Sequence, residues 1–218
     1  MHNGLFSWEK FSKVPVAGII RNVSMDDFAQ ILPLYMEAGL TTLEITMNTP
    51  DVAAMIRYAI ENYGSELNIG AGTICNEEEL SRALDAGAGF IVTPIVDEAV
   101  IKSCVQQEIP IFPGALTATE VYRAWRCGAD MIKIFPATSV GPQYIKDLKG
   151  PLHQVRLMAV GGVSVDNCVE FLKAGAEGLG MGGSLFDKNI IAKKEWAALS
   201  VRFRQLAEKI ESWQRSRK

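Results

Sequence analysis

Eight times along this chain a short run of apolar and β-branched residues gives way to a helical pattern, and that alternation limits the fold more than any other feature. The strand candidates are Val16–Ile20, Thr42–Met47, Asn68–Gly72, Phe90–Pro94, Ile111–Gly114, Met131–Phe135, Val155–Val160 and Gly178–Gly182. Between the first two, Phe28, Ile31, Leu32, Tyr35 and Met36 recur at the i, i+3, i+4, i+7, i+8 spacing of a helix with one buried face. Helix starts are marked by Ser24 before Asp27, Asn76 before Glu79 and Thr117 before Glu120, each at capping-box spacing. Thr49-Pro50 reads as a cap followed by a first-turn proline, and Gly39, Gly87, Gly128 and Gly175 fall where helices should end.

Strand–helix units of this kind need a parallel sheet, either closed into a barrel or open and doubly wound. An open sheet would bring a Gly-x-Gly-x-x-Gly turn after its first strand, and Ile20-Arg21-Asn22-Val23-Ser24 is not one. The expected fold is therefore α/β, a (β/α)8 TIM barrel forming a single domain over residues 1–218, with the open sheet as fallback. At 218 residues it is compact for a fold whose usual size is about 250. A short amphipathic helix carrying Phe6, Trp8 and Phe11 would close the barrel bottom. From Lys193 onward a long C-terminal helix would turn Trp196, Phe203, Leu206 and Ile210 inward.

Charge and composition remove several classes of function. A net charge of −3 with no basic cluster inside the domain argues against nucleic acid, and the terminal Arg215-Ser216-Arg217-Lys218 reads as a solvated helix end. No apolar run reaches membrane-spanning length and Met1-His2-Asn3-Gly4 lacks a signal layout, so a soluble, cytoplasmic protein without membrane contact is expected. Cys75, Cys104, Cys127 and Cys168 are scattered, suggesting neither a zinc site nor a disulfide framework. The two histidines, His2 and His153, leave little for a Ser-His-Asp triad or a His-ligated metal. Acid–base work falls to carboxylates, lysine, tyrosine or bound water.

Lys133 stands in the apolar run Met131-Ile132-Lys133-Ile134-Phe135. Burial penalises an ammonium, so a lysine there should have a lowered pKa and supply free amine, the nucleophile of Schiff-base chemistry. The alternative is a strand-end lysine that snorkels to solvent. Strand alternation sends Ile132 and Ile134 outward and Lys133 into the barrel; it likewise sends Glu44 and Thr46 inward from Leu43-Glu44-Ile45-Thr46-Met47. Glu44 is then a proton shuttle beside the lysine, or half of a structural ion pair. Gly161-Gly162 after the seventh strand and Gly182-Gly183-Ser184 after the eighth stand where barrels commonly hold phosphate, although each alone is also an ordinary turn. Gly70-Ala71-Gly72-Thr73 leaves room for substrate or for tight strand packing, and Arg21 is placed to pair with a substrate carboxylate or a surface acid.

Leu-Glu-Ile-Thr around Glu44, Gly70-Ala71-Gly72-Thr73, Val92-Thr93-Pro94, Phe112-Pro113-Gly114, Lys133-Ile134-Phe135-Pro136 and Gly161-Gly162-Val163 together resemble, in order, the motifs of the class I 2-dehydro-3-deoxy-6-phosphogluconate / 4-hydroxy-2-oxoglutarate aldolases. The resemblance runs from about Val14 to Ser184. It implies a small, metal-independent barrel with no cofactor, a homotrimer, cleaving a phosphorylated 2-keto-3-deoxy sugar acid to pyruvate and glyceraldehyde 3-phosphate. Lys133 would form the imine and Glu44 act as acid/base. Arg21, Asn48, Thr73, Pro94, Phe135 and Val160 would line the substrate, and Gly161, Gly162, Gly182, Gly183 and Ser184 its phosphate. Many phosphogluconate aldolases carry arginine where this chain has Asn48, which makes Arg21 the replacement candidate, and threonine where it has Val160. Asn48, Val160 and Gly141-Pro142-Gln143-Tyr144-Ile145-Lys146 look more like the 2-dehydro-3-deoxy-6-phosphogalactonate aldolases, whose substrate is the C4 epimer. The alternatives are a 4-hydroxy-2-oxoglutarate aldolase, a non-covalent phosphosugar isomerase or epimerase, and a catalytically silent barrel module.

Overall fold

A computed structural model describes residues 6–217; His2 and Lys218 lie outside the described residues. Among the described residues there are nine parallel strands: β1 (Val16–Ile20), β2 (Thr42–Thr46), β3 (Asn68–Gly72), β4 (Ile91–Val92), β5 (Ile111–Phe112), β6 (Gly114–Ala115), β7 (Ile132–Ile134), β8 (Leu157–Val160) and β9 (Gly178–Met181). They are ordered β5-β4-β3-β2-β1-β9-β8-β7-β6. The two ends of that order are one run of chain broken at Pro113, which has no N–H to give to a ladder. Its carbonyl still accepts from Lys133 N–H at 2.9 Å, so the sheet closes through this segment and the fold is a (β/α)8 barrel. The fifth strand expected over Ile111–Gly114 thus becomes two short pieces.

The helices are α1 (Trp8–Lys13), α2 (Met25–Glu37), α3 (Val52–Tyr63), α4 (Glu77–Asp85), α5 (Glu98–Gln106), α6 (Ala118–Arg126), α7 (Ala137–Lys149), α8 (Cys168–Lys173), α9 (Lys188–Ala192) and α10 (Trp196–Arg215). Among the described residues none is long and apolar enough to cross a membrane. Ser24, Asn76 and Thr117 cap α2, α4 and α6 as expected, and Thr117 with Glu120 forms the full reciprocal box. Thr49 does not cap α3, whose N-cap is Asp51. It accepts instead from Asn22 N–H at 3.1 Å and lies 3.1 Å from the Thr46 hydroxyl, tying the loop after β1 to the loop after β2.

Two cores follow from strand alternation. Outward residues such as Leu43, Ile45, Ile132 and Ile134 pack under the helices, joined by Leu199, Phe203, Leu206 and Ile210 of α10. Trp196 is only partly buried against this core. Inside the barrel, Phe11, Phe90, Phe112, Met131 and Met158 form a separate apolar plug with Phe6 and Trp8 packed against it. Phe6 and Phe90 lie 5.3 Å apart and Phe90 and Phe112 5.5 Å, so α1 does close the barrel floor. Asn68 fixes it there, accepting from Ser7 N–H at 2.7 Å and donating to Ser7 O at 3.0 Å. A floor made of large rings, each stabilising by about 1.5–3 kcal/mol on burial, leaves Glu44 and Lys133 above it, facing the strand C-terminal mouth.

Candidate active site

Lys133 and Glu44 both point into the barrel above that plug, 7% and 2% exposed. Lys133 is the central residue of β7, paired with Gly114 on one side and Met158 on the other; Glu44 of β2 is paired with Ile19 and Gly70. Burial pushes the Lys133 ammonium below the ordinary lysine range, with Arg21 adding to the fall, while Glu44 opposes it. Burial pushes the Glu44 carboxyl up, against the pull of Lys133 and then Arg21. Among the described residues no ion pair or hydrogen bond joins the two, so they act on each other through space and both remain free for a third group. The snorkelling alternative fails: the ammonium is buried, with the Phe135 ring centroid 5.0 Å from Nζ.

The glycines of β3 make this arrangement possible. A Cβ on Gly70 would run into the Phe90 ring, and a Cβ on Gly72 would overlap the Glu44 carboxylate. Gly72→Ala is therefore expected to displace that carboxylate. A misplacement of this kind costs about 100-fold in kcat, and the overpacking about 1–3 kcal/mol of stability. Steady-state kinetics beside a thermal melt checks both; unchanged kcat would mean that the position of Glu44 is immaterial.

Above the pair opens a cavity of about 820 Å³, within the range of small-ligand sites. Arg21, Thr73, Pro94, Phe135, Val160, Gly161, Gly162, Gly182, Gly183 and Ser184 all line it with Lys133 and Glu44. Asn48 does not; it is exposed in the tight turn where Thr49 N–H donates to Thr46 O at 2.9 Å, and its side chain is much shorter than an arginine's. The stretch Gly141–Lys146 also lies off the cavity, within the kinked helix α7. Thr73 holds a left-handed backbone (φ 61°) that costs a β-branched residue of order 1–3 kcal/mol. In that conformation its hydroxyl accepts from Arg21 Nη2 at 3.2 Å. Arg21 is in no ion pair among the described residues, which leaves the rest of its fork available and sets aside the surface-pair alternative.

At the other side of the cavity Gly161 and Gly162 take φ of 94° and 71°, a consecutive left-handed pair that favours glycine. A side chain on Gly162 would also meet Thr138. The Ser184 hydroxyl donates to Val163 O at 2.5 Å, linking the two glycine turns. Sequence reasoning missed Asn22, Ser24, Asp27, Phe186 and Lys188, which also line the cavity. Ser24 and Asp27 carry only a helix-capping signal and the others none; they come to the cavity through the packing of α2 and α9 at the mouth.

A (β/α)8 barrel with a buried amine, a buried carboxylate beside it and a glycine-walled cavity at the strand C-termini defines an enzyme of the barrel class. Residues 8–201 match the family model described as "Aldolase: KDPG and KHG aldolase". The chain is 35% identical to the 2-dehydro-3-deoxy-6-phosphogalactonate aldolase of Escherichia coli K12 over 176 residues, 80% of this chain and 86% of that one. It is 33% identical to the 2-dehydro-3-deoxy-phosphogluconate aldolase of Pseudomonas aeruginosa over 198 residues, 88% of this chain and 89% of that one. A solved structure, "Native KDPGal structure", superposes with a TM-score of 0.87 at 30% identity, covering 93% of this chain and 97% of the other. The chain belongs to the KDPG and KHG aldolase family and is an aldolase, a carbon–carbon lyase.

Proposed function

We propose that this protein is a class I aldolase cleaving a 2-dehydro-3-deoxy-6-phospho sugar acid, phosphogluconate or its C4 epimer phosphogalactonate, to pyruvate and D-glyceraldehyde 3-phosphate. The observation that carries this reading is Lys133, a buried amine with a depressed pKa beside an uncommitted carboxylate. Lys133 Nζ attacks the C2 ketone, and loss of water from the carbinolamine leaves an iminium. The 4-hydroxyl then gives up its proton to Glu44, directly or through a water, as the C3–C4 bond breaks. That bond's electrons pass into the iminium as an enamine, and the aldehyde leaves. Glu44 returns a proton to C3 and water hydrolyses the imine, freeing pyruvate and lysine. Arg21 and Thr73 face the substrate carboxylate, with Pro94 and Phe135 as the flanking walls. The glycine turns and Ser184 take the phosphate.

Val160 puts methyl groups on the cavity wall, packed across Gly180, where a Cβ would come within 2.7 Å of it. A wall without a hydroxyl bears on which C4 configuration is preferred. Incubation with pyruvate, borohydride reduction and peptide mapping tests the chemistry: the mass shift is expected on Lys133, and an adduct on another lysine would sink the assignment. Assay of both phosphorylated epimers beside 4-hydroxy-2-oxoglutarate reports the substrate.

The same reading has residues 1–218 working as one barrel domain in a cytoplasmic homotrimer. The four cysteines are all free, as a reducing compartment favours. Exposed Ile95, Leu116 and Tyr122 are large apolar side chains of the kind a subunit contact covers.

A further inference from the structure

The two glycine turns present almost no free carbonyl oxygen. Thr138 N–H donates to Gly161 O at 3.1 Å, and Asn167 Nδ2 to Gly162 O at 3.1 Å. Leu185 N–H and Phe186 N–H donate to Gly182 O at 2.8 and 2.9 Å. Arg202 Nη1 donates to Ser184 O at 2.7 Å. Thr138, Asn167 and Arg202 belong to the surroundings of α7, α8 and α10, and none of the three lines the cavity.

A trans peptide is planar, with its C=O and the following N–H pointing in opposite directions. Carbonyls drawn outward therefore turn the next N–H toward the cavity. Gly162, Val163 and Gly183 follow the tethered carbonyls of Gly161, Gly162 and Gly182, and among the described residues no protein acceptor takes their N–H groups. A Cβ on Gly183 would meet open space. Arg202 acts one peptide further on. By holding Ser184 O it aims Leu185 N–H at Gly182 O, and that bond in turn faces Gly183 N–H inward. The same guanidinium lies 3.8 Å from Asp187, whose carboxylate caps α9, so the turn is held on both sides.

We propose that Arg202 and Asn167 are positioning residues for the phosphate cradle, holding its carbonyls from behind so that its amides converge on the anion. This rests on the reading that the substrate carries a phosphate. It gives the C-terminal helix a part in binding, from a residue just past the stretch matched by the family model. Neither side chain touches substrate.

The test uses Arg202→Met and Asn167→Ala; the latter removes the donor to Gly162 O (3.1 Å), together with the acceptor for Ser164 N–H (2.8 Å), without adding a charge near the anion. Each is assayed on the 2-dehydro-3-deoxy sugar acid with and without its 6-phosphate. KM for the phosphorylated substrate, and the inhibition constant of inorganic phosphate, are expected to rise on the order of tenfold, the worth of about one hydrogen bond. kcat and turnover of the unphosphorylated acid should move less than twofold, and Arg202→Lys should restore part of the loss. Equal losses on both substrates, or a fall in kcat with KM unmoved, overturn the proposal, since a merely structural role would do that. If the unaltered enzyme does not distinguish the two substrates, the phosphate reading itself fails and the proposal with it. Thermal melts separate unfolding from either result, and the two variants sit on different turns, so the loss of one leaves the other decisive.

Discussion

Lys133→Met is expected to abolish borohydride-trapped pyruvate adduct and to lower kcat/KM on the order of 10⁶-fold, the scale seen when a covalent nucleophile is deleted from a protease. Among the described residues no second buried amine lines the cavity to take over. Its remaining cations, Arg21 and Lys188, are both exposed and line its walls, and a guanidinium is no nucleophile at any working pH. Methionine fits the site because β7 sits against Met158 and the apolar plug, so the variant should fold. Binding of phosphorylated substrate should survive, measurable as quenching or calorimetric heat, which separates lost chemistry from lost structure. In the unaltered enzyme the trapping rate should rise with pH to a plateau whose midpoint lies below the ordinary lysine value of 10.5, because burial favours the neutral amine. The same shift acts on stability. Between the folded pKa and 10.5 the unfolded chain binds more protons than the folded one, so the Lys133 contribution to stability rises with pH through that window. The variant should lack that rise. A midpoint at or above 10.5 would show that the lysine is solvated.

Glu44→Gln is expected to cost 10²–10⁴-fold in kcat, the usual worth of a positioned acid/base, with substrate KM little changed. It should still form the trapped adduct, since imine formation needs the amine more than the carboxylate. Removing the negative charge removes the influence that holds the Lys133 pKa up, so the trapping midpoint should move further down. A midpoint that moves up, or full activity, would make the carboxylate a structural companion only. In the folded enzyme the Glu44 carboxyl is raised, so the folded state binds the extra proton and stability falls as pH climbs through the window above 4.5. Glu44→Gln should flatten that fall in a pH series of melts.

The alternation of strands and helices was legible because parallel strands must be joined by crossovers, and period-2 alternation sent Lys133 and Glu44 to the same interior without any knowledge of contacts. The floor built from Phe6, Trp8 and Phe11 was legible from their apolar spacing alone. Thr49 was misread because a threonine before proline is a good cap locally, whereas here the tertiary demand to tie two loops outweighs it. Asn48 was placed at the substrate by its position in a motif; the turn at Thr46–Thr49 leaves it exposed and off the cavity. Asp27 carried only a helix-capping signal and Lys188 none, since it is the packing of α2 and α9 at the mouth that brings them to the cavity.

By itself the sequence determined the eightfold repeat, the inward face of each strand, and the residue types able to do imine chemistry, because these follow from local periodicity and from the cost of burying charge. Only the tertiary structure decided that the broken strand at Pro113 still closes the barrel, that Gly72 is the space the Glu44 carboxylate occupies, and that Arg202 reaches back from the last helix to hold a turn eighteen residues away. Those depend on which surfaces meet, and no short stretch of chain encodes that.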